Sequence, residues 1–512
     1  MSAAGSPVRG GASPASRRTL DLLAFDLGAS NGRAVLGRFD GERLVLEELH
    51  RFENGPVERD GHLRWDAQGL LGHLKAGFAA YAEQGGPGLA SFGIDSWGVD
   101  YGLLDRDGRL IADPRAYRES TDEAMRAAWE VVPKRTMFDR TGIAAMNFNT
   151  AYQLYRRVLE GDPELARAET LLLMPDLLGY LLTGEKRSEY TNATTTNLYD
   201  HDAHDWDRAT IRALGIPERV FTALDRAGSL RGRLTETVAA ELGVGRVPLA
   251  AVGTHDTASA VAAIPGAGDF AFCSSGTWSL FGVETDAPVR TDDVFASNFS
   301  NEGSVQGGCR PLKNIMGLWP LQECRREWTT PERRPAWDFL SAEAEKAEPF
   351  RSVVDPDWGP FFSPGGMTAK IRHYCRATGQ PEPETEGQVV RCIFESLALK
   401  YRWAVGHLET LKGRPLPVLH IVGGGIHHKL LDRMAADATQ RLVETGPVEG
   451  ACAGNHLLQA MALGELRDMD ELRAVVRNSF PIEAFEPDPA AAAKWDDAYG
   501  RMLAYMDREV AP

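Results

Sequence analysis

The fold of this chain is predicted by a turn near its beginning, Phe25-Asp26-Leu27-Gly28-Ala29-Ser30-Asn31-Gly32-Arg33. The apolar run 20–25 before the turn predicts a buried strand that ends at Asp26. After the turn, residues 33–39 and 43–52 alternate enough to predict two more strands. Such an opening is antiparallel. It therefore does not fit a Rossmann fold, in which a helix follows the first strand directly.

A similar turn lies in the second half of the chain, Cys273-Ser274-Ser275-Gly276-Thr277-Trp278-Ser279, and it also follows an apolar run. Each turn offers small residues whose backbone N–H groups can face an anion, together with hydroxyl groups. Two such turns in similar contexts predict a duplicated phosphate clamp with a cleft between the halves. Neither turn matches G-x-x-x-x-G-K-[ST] or G-x-G-x-x-G, so a P-loop and a Rossmann site both lack their signature.

Hydrophobic periodicity predicts a mixture of helices and strands in the rest of the chain. The predicted helices cover residues 67–83, most of 121–182, a helix entered through 254–263, and a helix from about 429. Further strands are predicted at 89–94, 247–252 and 417–422. No short-period repeat is visible, which excludes a solenoid and leaves an apparent repeat of half-chain length. We place the domain boundary near residue 265.

The composition is that of an ordinary globular protein, with 43% hydrophobic and 25% charged residues in 512. The net charge of −16 argues against general binding to nucleic acid or to an anionic membrane, but it does not exclude ATP. No apolar run reaches the roughly 18 residues of a membrane span, and residues 1–18 lack the apolar core of a secretory signal. Six cysteines without a C-x-x-C pair fit a reducing compartment, so we expect a cytoplasmic protein.

Two other patterns receive no functional role. The segment His201-Asp202-Ala203-His204-Asp205 contains ligand-type side chains, but its polar, turn-like character predicts a solvated loop. The sequence leaves open whether Cys375 and Cys392 form a bridge.

Two carboxylates lie at positions that are suited to phosphoryl transfer. Asp26 ends a predicted strand beside the first turn, where a carboxylate can hold a hydrated Mg²⁺. Ser30, Asn31 and Arg33 can bond phosphate oxygens, the arginine through two parallel hydrogen bonds. Asp256 lies at a predicted helix start, where it either caps the helix or acts as the general base that takes a proton from a substrate hydroxyl.

Several motifs, taken together and in order, resemble the FGGY carbohydrate kinases. The resemblance covers the chain from about residue 20 to about residue 490. The motifs that carry it are DLGAS (26–30), IDSWGVD (94–100), EYTNATTT (189–196), HDTAS (255–259), SSGTWS (274–279), LKNIMGLW (312–319), RCIFESLA (391–398) and HIVGGG (420–425).

The resemblance implies a fold of the actin/hexokinase/Hsp70 ATPase type, which is ribonuclease H-like. Two α/β domains, each with a mixed sheet flanked by helices, would enclose the active cleft. Applied to this chain, the resemblance and the composition predict a disordered leader at 1–19, an N-terminal kinase domain with the sugar and phosphate loop at 20–264, a C-terminal nucleotide domain at 265–490, and a C-terminal helical tail at 491–512.

The resemblance also implies roles for individual residues. Asp256 would be the proton acceptor, and Asp26 would hold Mg²⁺ through water. Sugar contacts would come from Gly98, His255, Asp256 and Thr257. ATP would be bound by Ala29, Ser30, Asn31, Gly32, Arg33, Thr277, Asn314, Gln322 and Gly424. Asn31 departs mildly from the family pattern, which often has serine at that position, but both side chains can bond phosphate.

The activity implied is ATP-dependent phosphorylation of a ketose. The subgroup that this chain resembles most acts on O1 of L-rhamnulose, in L-rhamnose catabolism. Small-molecule sugar, ATP and Mg²⁺ would be the partners of a monomer or small homo-oligomer, with no nucleic acid and no membrane. The alternatives are a kinase for L-fuculose or D-xylulose, a catalytically silent sugar-binding homologue, and an actin-like or chaperone-like ATPase. Intact Asp26, Asp256 and Thr277 argue against the silent homologue, and the motif at 94–100 argues against the ATPase.

Overall fold

The protein is built around two mixed β-sheets, one formed by each half of the chain. The structure is a computed structural model that describes residues 19–86, 88–506, 508 and 510. The leader expected at 1–19 therefore lies outside the described residues, apart from residue 19. Helices pack against both sheets, as expected for the predicted α/β class.

The first half contains the strands and helices that surround the first turn. The strands are β1 (Leu20–Leu27), β2 (Asn31–Phe39), β3 (Leu44–Glu53), β4 (Val57–Arg59), β5 (His62–Arg64), β6 (Leu89–Ser96), β7 (Tyr101–Leu104), β8 (Thr170–Leu173), β9 (Ser188–Glu189), β10 (Tyr199–Asp200), β11 (Asp205–Trp206), β12 (Leu224–Asp225), β13 (Ser229–Arg233) and β14 (Pro248–Ala251). The helices are α1 (Ala67–Glu83), α2 (Asp122–Val131), α3 (Lys134–Thr141), α4 (Thr150–Leu159), α5 (Pro163–Arg167), α6 (Met174–Thr183), α7 (Tyr190–Thr195), α8 (Arg208–Ala213), α9 (Glu236–Leu242) and α10 (Asp256–Ala262).

The second half continues in the same way around the second turn. The strands are β15 (Ala271–Ser275), β16 (Trp278–Gly282), β17 (Ser300–Gly303), β18 (Cys309–Met316), β19 (Val418–Val422), β20 (Leu442–Thr445) and β21 (Glu483–Phe485). The helices are α11 (Asp292–Ala296), α12 (Trp319–Trp328), α13 (Trp337–Lys346), α14 (Met367–Ala377), α15 (Glu386–Lys412), α16 (Lys429–Thr439), α17 (Gly450–Ala462), α18 (Met469–Ser479) and α19 (Ala492–Met506).

The two sheets repeat one topology. The first has the strand order β13-β14-β6-β1-β2-β3, and the second has β17-β18-β16-β15-β19-β20-β21. In each, the first strand of the half pairs antiparallel with the strand that follows it and parallel with a later strand, which is β6 for β1 and β19 for β15. The antiparallel openings predicted from both turns are therefore confirmed, and so is the repeat of half-chain length.

Two helices, α10 and α17, join the halves. Helix α17 comes from the second half, yet its Ala453, Leu457 and Leu458 lie in one core cluster with residues of the first sheet. Its polar side chains also reach that sheet, since Gln459 Nε2 donates to the Leu23 carbonyl at 3.0 Å and accepts through Oε1 from the Ser91 hydroxyl at 2.8 Å. Helix α10 comes from the first half but shares a core cluster with β15, β18 and β19 of the second sheet. Part of the apolar face of each sheet is therefore covered by a helix that comes from the other half of the chain.

Strand β17 is a second link between the halves. It forms the edge of the second sheet, yet the Asn301 N–H donates to the Gly142 carbonyl at 2.9 Å and the Gly303 N–H donates to Thr194 Oγ1 at 2.7 Å. His201 Nε2 lies 3.2 Å from the Asn301 carbonyl, and the side chain of His201 is buried. The prediction of a solvated loop is therefore wrong for His201, because the strand that covers it lies about a hundred residues further along the chain.

All six cysteines are buried free thiols, including Cys375 and Cys392. Within residues 19–86 and 88–506, no helix is long and apolar enough to cross a membrane. The C-terminal helix α19 packs on the second half through Trp495, Ala498 and Met502.

The close approach of α10 and α17 depends on Gly454. A Cβ atom added there would lie 1.8 Å from the Ser259 carbonyl oxygen of α10. We predict that Gly454→Ala lowers the free energy of unfolding by about 1–3 kcal/mol or more, because the helices must move apart. Chemical denaturation measures this change in stability.

In the matched control, Gly406→Ala in α15, the added atom meets nothing within 4 Å. That control should be neutral or more stable by about 0.5–1 kcal/mol, since alanine favours a helix. Equal stability of the two variants would contradict the packing described.

Candidate active site

Three carboxylates come together where the two halves meet. Parallel pairing of β1 and β6 places Asp26 level with Asp95, and Asp256 is the first residue of α10. Asp95 is completely buried and accepts a hydrogen bond from Asn455 on α17. Burial raises the pKa of Asp95 well above its usual value, and the charges of Asp26 and Asp256 add to this effect. No role was predicted for Asp95 from the sequence, although its position at the end of a buried strand was a usable signal.

The first turn is held in shape by its own backbone and by Asn54. The Gly28 N–H donates to the Asn31 carbonyl at 2.8 Å, which closes the turn. Asn54 Nδ2 donates to the Gly28 carbonyl at 2.7 Å, and the Asn54 N–H donates to the Ser30 carbonyl at 3.0 Å. Ser30 and Asn31 are exposed, and Ala29 beside them is half-buried. Gly32 is required here because a Cβ would lie 2.3 Å from the Phe52 ring.

Arg33 follows this turn and is held by two carboxylates. Its Nε and Nη2 donate to Asp26 Oδ2 at 3.1 and 2.8 Å, and Nη2 also pairs with Glu449 from the second half. Burial works against the charge, but Cys452, Asp26 and Glu449 together hold the pKa of Arg33 above its usual value. The guanidinium is therefore a fixed positive charge between the halves. Nothing in the sequence around Arg33 pointed to Glu449.

The second turn brings three of the predicted residues together. Thr277 is exposed, and its hydroxyl donates to Gln322 Oε1 at 3.2 Å. The glycine turn 423–425 lies against Ser275, since a Cβ at Gly425 would be 2.0 Å from Ser275 Oγ. Gly424, between its two neighbours, faces open space.

Asn314 lies on β18, where it pairs with Leu280 of β16. Its Oδ1 atom is buried and has no hydrogen-bond partner among the described residues. A buried polar atom without a partner is uncommon in folded proteins, so this oxygen is suited to a ligand donor.

Asp256 is held at the first turn of α10 without acting as its N-cap. The N-cap is His255, which makes no side-chain capping bond. Asp256 Oδ1 accepts from the Thr257 N–H at 2.6 Å and from the Thr257 hydroxyl at 3.2 Å. About a third of the Asp256 side chain stays exposed. Burial raises the pKa of Asp256, although His255 draws it down. A carboxylate that is both accessible and more basic than usual is suited to accept a proton.

His255 lies between Asp256 and a buried glutamate. Its Nε2 is 3.5 Å from Asp256 Oδ1, and its Nδ1 is 3.1 Å from Glu302 Oε2 on β17. The backbone of His255 forms a parallel bridge with Ser96, which brings the 94–100 motif beside it. Glu302 was missed by sequence reasoning because it lies in the other half of the chain.

Gly98 and its neighbours in the chain lie beside the pair formed by His255 and Asp256. A Cβ at Gly98 would lie 3.1 Å from Thr195 Oγ1. The indole rings of Trp65 and Trp97 lie 4.2 Å apart and both donate to Asp100, at 2.6 and 3.0 Å. Burial raises the pKa of Asp100 to about 7.

Comparison of the chain with known proteins identifies its family. The family model for the N-terminal domain of the FGGY family of carbohydrate kinases matches residues 22–263, and the model for the C-terminal domain of that family matches residues 271–463. The chain belongs to the FGGY family of carbohydrate kinases. The resemblance drawn from the motifs is thereby confirmed, and the protein is a sugar kinase.

Relatives within the FGGY family match almost the whole chain. A protein named rhamnulokinase from Bacteroides thetaiotaomicron is 44% identical over 94% of this chain and 98% of its own length. A rhamnulokinase from Bacillus subtilis is 38% identical over 91% of this chain and 95% of its own length.

The fold is also similar to that of a solved sugar kinase structure. The ligand-bound xylulose kinase from Lactobacillus acidophilus superposes with a TM-score of 0.78 at 13% identity, over 94% of this chain and 97% of its own. At that identity the likeness concerns the fold alone, and it confirms the predicted two-domain fold of the actin/hexokinase type.

Asp432, on the helix after the glycine turn 423–425, is a buried carboxyl group. Its Oδ2 atom has no hydrogen-bond partner among the described residues. Burial raises its pKa to about 8, although Lys429 opposes the rise. The folded protein therefore keeps a proton on Asp432 that an unfolded chain loses near an aspartate pKa of about 4.

This difference predicts a pH-dependent effect of Asp432→Asn. Between about pH 4 and pH 8 the folded state keeps a proton on Asp432 that the unfolded state loses. The contribution of Asp432 to the stability of the wild-type protein therefore falls as pH rises. The variant does not titrate there, so its stability relative to wild type should increase with pH, by at most about 1.4 kcal/mol per pH unit. Urea denaturation at pH 5 and pH 8 measures the change. Asp107→Asn, on an exposed turn, is the control and should show no such trend. A constant difference between Asp432→Asn and wild type would refute this account of the buried carboxyl.

Proposed function

We propose that the protein transfers the γ-phosphate of MgATP to O1 of L-rhamnulose, giving L-rhamnulose 1-phosphate and ADP in L-rhamnose catabolism. The observation that carries the proposal is the 44% identity to a rhamnulokinase over 94% of the chain. The site supports it, because Asp256 is a partly exposed carboxylate that lies close enough to Asp26, beside the first turn, for their charges to interact. The six buried thiols suit a reducing compartment, so we place the reaction in the cytoplasm.

Asp256 is proposed as the proton acceptor. As the bond from O1 to the γ-phosphorus forms and the bond to the β-phosphate oxygen breaks, the O1 proton passes to Asp256. Its raised pKa makes the carboxylate a stronger base, and its hydrogen bonds from Thr257 fix its direction. Gly98, His255 and Thr257 are proposed to contact the sugar. Catalysis then depends mainly on positioning and charge stabilisation.

The two turns are proposed to hold the phosphates of ATP. Ala29, Ser30, Asn31, Gly32 and Arg33 would act from the first half and Thr277 from the second. The exposed hydroxyls and the fixed guanidinium of Arg33 support this role. Asn314, Gln322 and Gly424 would lie along the nucleotide, and the unpartnered Oδ1 of Asn314 supports that placement.

The donor set at the site fits Mg²⁺. Mg²⁺ keeps several waters and is commonly bound through one or two carboxylates together with substrate phosphates. Asp26 supplies such a carboxylate at the end of β1, and no group of three or more metal-ligating side chains occurs among the described residues. We therefore propose that Asp26 holds the ion through water. When bound, Mg²⁺ would neutralise charge on the phosphates.

A panel of ketoses with MgATP tests the substrate assignment. ADP release should be fastest, by kcat/KM, with L-rhamnulose, and slower with L-fuculose and D-xylulose, because a hydrogen-bonding site rejects sugars whose hydroxyls leave its polar groups unpaired. ATP without sugar is the control for uncoupled hydrolysis. Preference for another ketose would overturn the substrate, and sugar-independent hydrolysis at the same rate would overturn the kinase assignment for this site.

Replacement of the proposed base gives a second prediction. Asp256→Asn should lower kcat by about 10²–10⁴-fold, since the amide cannot accept the proton. Sugar binding, followed as a sugar-dependent rise in melting temperature, should persist because the amide keeps the shape of the side chain. The exposed Asp107→Asn serves as the matched control and should turn over like wild type. Turnover of Asp256→Asn within about twofold of wild type would show that another group accepts the proton.

A further inference from the structure

A chain of ionisable side chains runs from the site into the interior. Asp256 has a partly exposed side chain, and His255 lies behind it with Nε2 at 3.5 Å. Glu302 follows at 3.1 Å from His255 Nδ1, and Arg310 Nη2 follows at 3.3 Å from Glu302. The Arg310 side chain is buried and donates through Nε to the Gly303 carbonyl at 2.8 Å. The two innermost groups, Glu302 and Arg310, belong to the second half of the chain.

The charge state of Glu302 decides what it does to His255. Burial alone would favour the protonated acid, but His255 and Arg310 together hold the pKa of Glu302 below its usual value. Glu302 is therefore a carboxylate and can only accept hydrogen bonds. Only an imidazolium, which carries a proton on both nitrogens, can donate from Nδ1 toward Glu302 and from Nε2 toward Asp256, so the two carboxylates hold the plane of this ring between them.

The backbone that carries Glu302 is fixed from both sides. Its neighbours on β17, Asn301 and Gly303, bond to Gly142 and Thr194 of the first half. On the other side β17 pairs with β18, and Glu302 is level with Arg310. The carboxylate therefore has little freedom to move relative to His255, which is the property a supporting residue needs.

We propose that Glu302 is a positioning residue for the reaction: it holds His255 so that Nε2 supports the carboxylate of Asp256 in its direction toward the acceptor hydroxyl. The inference rests on the proposed function, in which Asp256 accepts the proton. It extends that function by assigning to the C-terminal half a residue that acts on the base rather than on the nucleotide. Glu302 acts only through His255 and touches no substrate.

The competing explanation is that Glu302 serves only to neutralise the buried guanidinium of Arg310. Loss of a carboxylate beside a buried arginine is destabilising in any case. Two variants separate the explanations. Glu302→Gln keeps the shape and removes the charge. Glu302→Asp keeps a negative charge beside Arg310 but draws the carboxylate away from His255.

Steady-state kinetics of both variants, with the best sugar of the ketose panel, form the first arm. If Glu302 positions the base, each variant should lower kcat by about tenfold to a hundredfold while the KM for MgATP stays within about twofold. Wild-type kcat in Glu302→Asp would overturn the proposal, because charge beside Arg310 would then suffice. Glu284→Gln is the matched control: this carboxylate accepts a hydrogen bond from Ser304 Oγ near the same cluster and pairs with Arg473 rather than with His255. It should leave kcat unchanged.

A double-mutant cycle with His255→Ala forms the second arm. In that background Glu302→Asp should change kcat by less than about twofold, because the residue through which it acts is absent. The same fold-loss in both backgrounds would overturn the proposal. The melting temperatures of all variants are measured alongside. If Glu302→Gln does not fold, the kinetics of Glu302→Asp decide between the two explanations.

The third arm needs no substrate. In protein labelled with ¹⁵N-histidine, the ring signals of His255 are assigned by their loss in His255→Ala. Glu302→Gln and Glu302→Asp should shift these signals, since the partner of Nδ1 changes. Unshifted His255 signals would overturn the contact. If L-rhamnulose fails in the panel but these signals shift and the cycle holds with another ketose, the substrate proposal fails while the role of Glu302 stands.

Discussion

The contact between α10 and α17 is the constraint on which the rest of the structure depends. Each helix belongs to one half by sequence and packs partly on the sheet of the other half. The two helices can cross closely only because Gly454 leaves room for the backbone of Ser259. The same crossing fixes the site, since α10 begins with Asp256 and α17 is preceded by Glu449, which pairs with Arg33. Stability and chemistry therefore depend on one piece of packing.

Negative charge is the second constraint on the site. The carboxylate of Asp26 lies close enough to Asp95 and Asp256 for its charge to raise the pKa of both. Arg33 alone among the residues of the first turn offsets them with a fixed positive charge. In the proposed reaction a triphosphate enters this environment, so it must bring its own counter-charge. That requirement is the reason we propose MgATP, and not free ATP, as the form of the nucleotide that binds here.

Local sequence predicted the local features well. Helix 67–83 has the predicted bounds, and the strands that flank both turns lie where hydrophobic patterning placed them. Predictions were wrong, or none was made, where the residue that a side chain contacts is distant in sequence. Glu302 contacts His255 from the second sheet, Glu449 contacts Arg33 from the start of α17, and His201 is covered by β17. Periodicity reports which face of an element is buried, but not which other segment buries it.

The two sides of the site differ in how far they are organised before any ligand binds. On the side of Asp256 four buried polar side chains are already in contact in pairs, His255 with Glu302 and Thr254 with Glu189. On the phosphate side the residues Ser30 of the first turn and Thr277 of the second are exposed. The paired groups of this network resist rearrangement, because any movement leaves a buried group unpaired. In the proposed reaction, discrimination between sugars therefore belongs to the rigid side, where a missing hydroxyl is costly. The exposed hydroxyls gain their full strength only when bound nucleotide excludes water from them, so phosphate binding depends on how closely the two turns approach each other.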